Sequence, residues 1–160
     1  MFQVPKEFVV IAGLVAIPGI GSTQDPTLPK DPRQSRLERF FSERASPLVK
    51  HAADFLAAAD RNGLDWRLLP SISIVETGGA KDYRNNNIFG WDSGRTKFSS
   101  IRAAIHAIAA KLSTSRLYRH KTVDQILRTY NSRPEYCRRV KSVMETIGGA
   151  DLSTATAALN

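Results

Sequence analysis

Glu76 ends an apolar run, Leu68, Leu69, Ile72, Ile74 and Val75, whose spacing is helical. A carboxylate near the negative end of a helix dipole, with apolar neighbours on the adjoining turn, is destabilised in its ionised form. Its pKa is therefore expected to rise, and a Glu that holds its proton toward neutrality is a general acid. After Gly78-Gly79 the chain runs from Lys81 to Trp91 with three successive amides, Asn85, Asn86 and Asn87, and three aromatics, Tyr83, Phe89 and Trp91. Amides and rings in one loop suit a sugar, whose hydroxyl and acetamido groups form hydrogen bonds and whose C–H faces pack on aromatics. The plainer reading is a solvent-facing Glu followed by an ordinary turn, in which the asparagines take left-handed geometry and Phe89 plugs the core.

Helices must hold these residues, because no segment alternates apolar and polar residues for long. The fold class is all-α, with about six helices and a long loop after the one bearing Glu76. The punctuation predicts a helix from Gln34 to Glu43 and another opened by Ser46 as N-cap and Pro47 as first residue, closed by Gly63. Asp65 can cap a helix from Trp66 to Thr77. Ser99 or Ser100 opens one with Ile101, Ile105, Ile108 and Leu112 on one stripe. Thr122 with Gln125 has capping-box spacing and opens a helix to Tyr130; Ser132 with Glu135 repeats it, with Pro134 in the first turn, and opens the last helix to Ile147.

The length of 160 residues fits one compact domain with tails. An apolar content of 42% with 24% charged residues excludes a disordered chain and a multispanning membrane protein. Cys137 is the single cysteine, so no intramolecular disulfide is possible, and it cannot build a zinc site with the scattered His51, His106 and His120. No metal or cofactor is implied. Cys137 itself is expected to be a small buried residue beside Tyr136 and Val140. Lys and Arg outnumber Asp and Glu by 23 to 15, a formal charge of +8 that draws the chain to polyanions: nucleic acid, anionic lipid or an acidic cell-wall polymer.

Residues 1–21 read as a signal peptide, with an apolar run from Phe8 to Ile20 too short to span a bilayer and Gly19-Ile20-Gly21 as its small-x-small cleavage pattern. Residues 22–33 read as a Pro-rich linker, residues 34–148 as the domain and residues 149–160 as a flexible tail. A secreted, periplasmic or cell-wall-associated monomer is expected, exported through residues 1–21 as a signal or held by them as an uncleaved anchor. A non-signal apolar N-terminus is the other reading.

The ordered set Glu76-Thr77-Gly78-Gly79, Asn87-Ile88-Phe89-Gly90-Trp91, Tyr130-Asn131-Ser132 and Pro134-Glu135-Tyr136 resembles the bacterial endo-β-N-acetylglucosaminidase domain (mannosyl-glycoprotein endo-β-N-acetylglucosaminidase-like). That domain belongs to the lysozyme-like superfamily, with goose-type lysozymes and lytic transglycosylases, and the likeness spans roughly Leu48 to Ile147. It implies a lysozyme-like fold with Glu76 as catalytic acid and Tyr130 facing it across a glycan cleft. It further implies that Asn87, Phe89 and Gly90 form one wall with Trp91 close by, and that Thr77 and Asn131 contribute to substrate binding. The family commonly has an aromatic-Gly pair after Glu-Ser; here Thr77 keeps the hydroxyl but Gly78-Gly79 lacks the ring, which bears on substrate positioning.

Glycosidic cleavage usually takes two carboxylates. Asp82 and Asp92 flank the loop and could supply the second, although both are normal turn residues. A 2-acetamido sugar can instead provide its own carbonyl oxygen as nucleophile, and one acid then suffices. The expected function is a peptidoglycan hydrolase cutting β-1,4 bonds beside N-acetylated sugars. Glucosaminidase, muramidase and transglycosylase chemistry stay open, as does a non-catalytic peptidoglycan-binding module. A nucleic-acid binder ranks last, since no recognition-helix pattern or aromatic stacking sheet supports it.

Overall fold

The computed structural model describes residues 30–149, and they are all-helical, with no strand among them. In chain order the helices are α1 (Pro32–Glu43), α2 (Ala52–Asn62), α3 (Leu68–Thr77), α4 (Ile101–Thr114), α5 (Val123–Tyr130) and α6 (Pro134–Gly148), with 3-10 turns at Pro47–His51 and Trp91–Gly94. None of these helices is long and apolar enough to cross a membrane. The signal-peptide reading, most of the linker and all but the first residue of the tail lie outside the described residues.

α1 begins two residues earlier than its apolar pattern suggests. Asp31 accepts a hydrogen bond from the Arg33 amide at 2.8 Å and Pro32 takes the first helical position. A proline there loses an amide that would be unpaired anyway, so Asp31-Pro32 starts a helix and does not end a linker. Ser46 does cap the next segment, accepting from the Leu48 amide, but the first turn is 3-10 and α2 starts only at Ala52. The single helix expected from Pro47 is thus two pieces, and Gly63 stops the second in left-handed geometry at φ 60°.

α3 is the central element. Leu68, Leu69, Pro70, Ser71, Ile72, Ser73 and Thr77 are all buried, so the helix is enclosed on nearly every side and packs on α2 and α6. It starts at Leu68, after a turn at Trp66 and Arg67; Asp65 still accepts from the Arg67 amide (2.9 Å), as a cap does, and also holds the Arg67 guanidinium (2.6 Å). α4 lays Ala104, Ile105, Ile108, Ala109 and Leu112 into the core against α2, close to the expected stripe.

The Thr122–Gln125 capping box forms in full at the start of α5. The one expected at Ser132–Glu135 does not. Arg133 occupies the cap position of α6 without a side-chain bond, Asn131 accepts from the Arg133 amide at 3.1 Å, and Glu135 turns outward to Arg138. Pro134 and the buried row Tyr136, Val140, Met144 and Ile147 suffice to dock α6.

Candidate active site

The end of α3 fixes Glu76. Gly78 and Gly79 both lie in the left-handed region, at φ 61° and 73°, and their amides return to the carbonyls of Ile74 (3.0 Å) and Ser73 (3.1 Å), closing the helix tightly. A side chain at Gly79 has no room: its Cβ would fall 2.8 Å from Ile74 Cδ1 and 2.9 Å from Ser46 Oγ. Ser46 also donates to the Gly79 carbonyl at 2.6 Å, which ties the turn to the elbow before α2. The aromatic of the family's pair would fall at position 78, where an added Cβ meets only Lys81, its Cβ at 3.7 Å; the left-handed φ of 61°, and not lack of space, is what disfavours a side chain there.

Half-buried at this point, the Glu76 carboxyl has a pKa above the usual carboxylate range. Loss of water is the main cause; the Tyr136 hydroxyl and the Arg139 charge act in the opposite direction and favour the ionised form. The loop backbone supplies part of the cover, because a Cβ on Gly90 would lie 2.6 Å from Glu76 Oε2. The position-76 acid and the 87–91 strip are thus brought together.

Most of that strip shapes the loop. Asn87 is buried: its Nδ2 donates to the Trp91 carbonyl (2.8 Å) and lies 3.2 Å from that of Thr96, while its Oδ1 accepts from the Trp91 amide at 3.0 Å. Asn86 donates to the Phe98 carbonyl at 2.9 Å, and Asn85 and Asn86 sit at φ 58° and 54°. Phe89 is fully buried in the core beside Ile88. Thr77 is buried too, with its hydroxyl accepting from the Ala80 amide and within reach of the Ser73 and Ile88 carbonyls. Thr77, Asn87 and Phe89, expected to meet substrate, instead hold the site's shape, and the core-plug alternative is the one found for Phe89.

Asn87→Ala accordingly removes both anchors of the Trp91 corner. We expect a loss of about 1–3 kcal/mol in denaturant unfolding, the range for orphaned buried partners, against little change for Asn85→Ala on the exposed turn.

A cleft of about 560 Å³ opens over Glu76. One side is Gly90, Trp91, Asp92, Ser93 and Thr96; the other is Tyr118, Tyr130 and Asn131. The Trp91 ring sits 6.1 Å from that of Tyr118 and edge-on to Tyr130 at 5.6 Å, and Tyr130 stacks on Tyr136 at 6.0 Å, only 5° from parallel. Tyr130 donates its hydroxyl proton to the Phe89 carbonyl at 2.5 Å. Burial, then the charges of Glu76 and Tyr118, push its pKa well above the phenol range, so it stays neutral. The same forces act on Tyr136, whose buried hydroxyl makes no hydrogen bond of normal geometry and has Glu76 as its polar neighbour.

Of the residues singled out in the sequence, Gly90, Trp91, Tyr130 and Asn131 line the cleft with Glu76. Tyr118, Ser93 and Thr96 were not foreseen, and nothing in the local pattern singles them out. Tyr136 could have been found, since it shares the Pro134-Glu135-Tyr136 motif and opens the buried row of α6. Asp82 does not line the cleft. Asp92 does, but its exposed carboxylate is engaged by Arg95 at 2.5 Å. Asp92 and Ser93 are left-handed non-glycines, at φ 52° and 54°, a conformation that costs of order 1–3 kcal/mol each and clusters at functional sites. Away from the cleft, His51 pairs with Asp54 at 2.9 Å. Cys137, expected to be buried, is half-exposed because it faces a smaller pocket between α5 and α6.

Comparison of the chain with protein-family models, with curated proteins and with solved structures finds no match.

Proposed function

We propose that the chain cleaves β-1,4-glycosidic bonds beside N-acetylated sugars in peptidoglycan, with Glu76 as general acid. The observation that carries this reading is the Glu76 carboxyl, desolvated to a raised pKa at the floor of an aromatic-walled cleft. Trp91, half-exposed on the cleft wall, offers ring surface for sugar C–H faces, and the buried Tyr118 backs it. Glu76 donates its proton to the leaving glycosidic oxygen as the C–O bond breaks. Tyr130 has committed its proton to Phe89, so its oxygen lone pairs are free to accept from a substrate acetamide N–H and to steady positive charge at the anomeric carbon.

The second carboxylate decides the rest of the mechanism. Asp92 is held by Arg95 at the exposed rim, which favours attack by the substrate's own acetamido oxygen, or by a sugar hydroxyl as in a transglycosylase, over a protein nucleophile. The same arrangement favours a non-catalytic glycan-binding module as the second reading. Incubation with purified peptidoglycan and mass spectrometry of the soluble fraction separates them. Release of fragments cut at one sugar linkage supports the enzyme, and anhydro ends identify the transglycosylase route. Retention on the polymer with nothing released identifies the module. Activity on this polymer would also require the chain to reach the cell wall.

A pH dependence follows from the groups around Glu76. The acid must be protonated to act, so activity falls as pH rises through its elevated pKa. Tyr136 and Arg139 both favour the ionised form; Tyr136→Phe removes one of them and raises the pKa further. The alkaline limb of kcat/KM should move to higher pH in this variant, and a limb that stays or moves down contradicts the assignment.

A further inference from the structure

The cleft is asymmetric in charge. No Asp or Glu occurs between Asp92 and Asp124, a stretch that holds seven of the chain's 23 lysines and arginines. Most of the formal +8 therefore sits on the segment that runs from one cleft wall to the other. On the Tyr118 side, Lys111 reaches over the Trp91 ring, its Nζ 5.6 Å from the centroid. Arg116 and Arg119 flank Tyr118 in sequence and are exposed, and their guanidinium groups make no ion pair or hydrogen bond among the described residues. By contrast, Arg95 is engaged by Asp92 and Arg102 of α4 by Asp54 at 2.8 Å. The cleft itself carries the carboxylates Glu76 and Asp92.

We infer that Lys111, Arg116 and Arg119 take the anionic side groups of a glycan whose neutral sugar backbone lies in the cleft beneath them. A polymer with a charge on every backbone unit, such as nucleic acid, would have to bring its phosphates out of water into an aromatic-lined groove whose lining holds no lysine or arginine. A strand of uncharged sugars with carboxylate or phosphodiester arms hanging to one side meets ring surface and a neutral acid in the groove, Lys111 over Trp91, and the unpaired guanidinium groups of the two arginines next to Tyr118 in the chain. This rests on the glycan reading above and adds which decorated glycans the site selects.

The test is co-sedimentation of the full chain with insoluble peptidoglycan and with chitin, a neutral β-1,4 polymer of N-acetylglucosamine, across a salt series. Arg116→Gln/Arg119→Gln removes two exposed cations that touch neither the core nor the acid. The double variant should lose about tenfold or more in peptidoglycan affinity, with a shallower dependence on log salt, as for lost contacts to a polyanion, while chitin binding is unchanged. Equal binding of the variant and the native chain to peptidoglycan overturns the inference, and so does displacement of the bound chain by duplex DNA at matched anion concentration. Stripping phosphodiester polymers from the wall with hydrofluoric acid separates the sources: retained rim-dependent binding assigns the peptide carboxylates, and its loss assigns the phosphodiesters. Binding is read without turnover, so rim-dependent sedimentation with no release of fragments sinks the enzyme reading alone, whereas release with rim-independent sedimentation sinks this one alone.

Discussion

Replacing Glu76 with Gln lowers the release of soluble fragments from peptidoglycan by about a hundredfold to ten-thousandfold, the usual contribution of a positioned general acid, and at the same time makes the fold more resistant to heat at neutral pH. Both outcomes have one origin. The amide keeps the shape and the contact with Gly90 but cannot give up a proton. In the native chain the folded-state pKa of Glu76 is raised by burial, so its protonated form is the one the fold accommodates. The penalty for ionising it is absent below the unfolded pKa, grows as pH rises from there to the folded pKa, and stays in full above it. Gln carries no such penalty. Thermal melts should therefore show a higher Tm for Glu76→Gln at pH 7 than for the native chain, with the gap closing in acid below about pH 4. A variant that releases fragments as the native chain does removes Glu76 from the mechanism; a Tm gap that widens in acid contradicts the burial argument.

Gly90→Ala should cost about a hundredfold in kcat, with KM far less affected. A methyl group there would come within 2.6 Å of Glu76 Oε2, and position 90 lies at φ 61°, where an L side chain is strained by about 1–2 kcal/mol. The loop or the carboxyl must give way, and displacement of a reacting group by about 1 Å is enough for a loss of that size. Gly63→Ala is the control. Position 63 has the same handedness, φ 60°, but nothing lies within 4 Å of the added carbon, so this variant should lose comparable stability in denaturant and keep its activity. Equal losses of activity in the two variants would mean that strain alone, and not contact with the acid, limits the rate.

How much of this was legible in the chain depended on how local each signal is. Apolar rows such as Ile105, Ile108 and Leu112, the stop at Gly63 and the Thr122–Gln125 box are written within one or two helical turns, and the fold uses them as written. Failures occurred where two local devices competed. Asp31-Pro32 looks like linker until its carboxylate finds the Arg33 amide, and the Ser132–Glu135 spacing lost to Asn131 and to the outward pair with Arg138. At the site, Glu76, Trp91 and Tyr130 were readable, as was the neighbourhood of Asn131. The assignment of Asn87, Thr77 and Phe89 to substrate failed because a polar or aromatic residue in a loop has the same sequence signature whether it faces the groove or braces it from behind. Tyr118 was invisible, since it comes to the cleft from a turn far along the chain through tertiary packing alone.

The bond from Ser46 to the carbonyl of Gly79 reaches beyond the stretch that resembles a glycosidase domain, which opens only at Leu48. Ser46 and the Phe41 ring, 5.6 Å from that of Phe55, belong to what precedes it. A fragment trimmed to the boundaries of that likeness would sever the brace under the acid-bearing helix, so the minimal autonomous unit of this chain must start no later than Asp31.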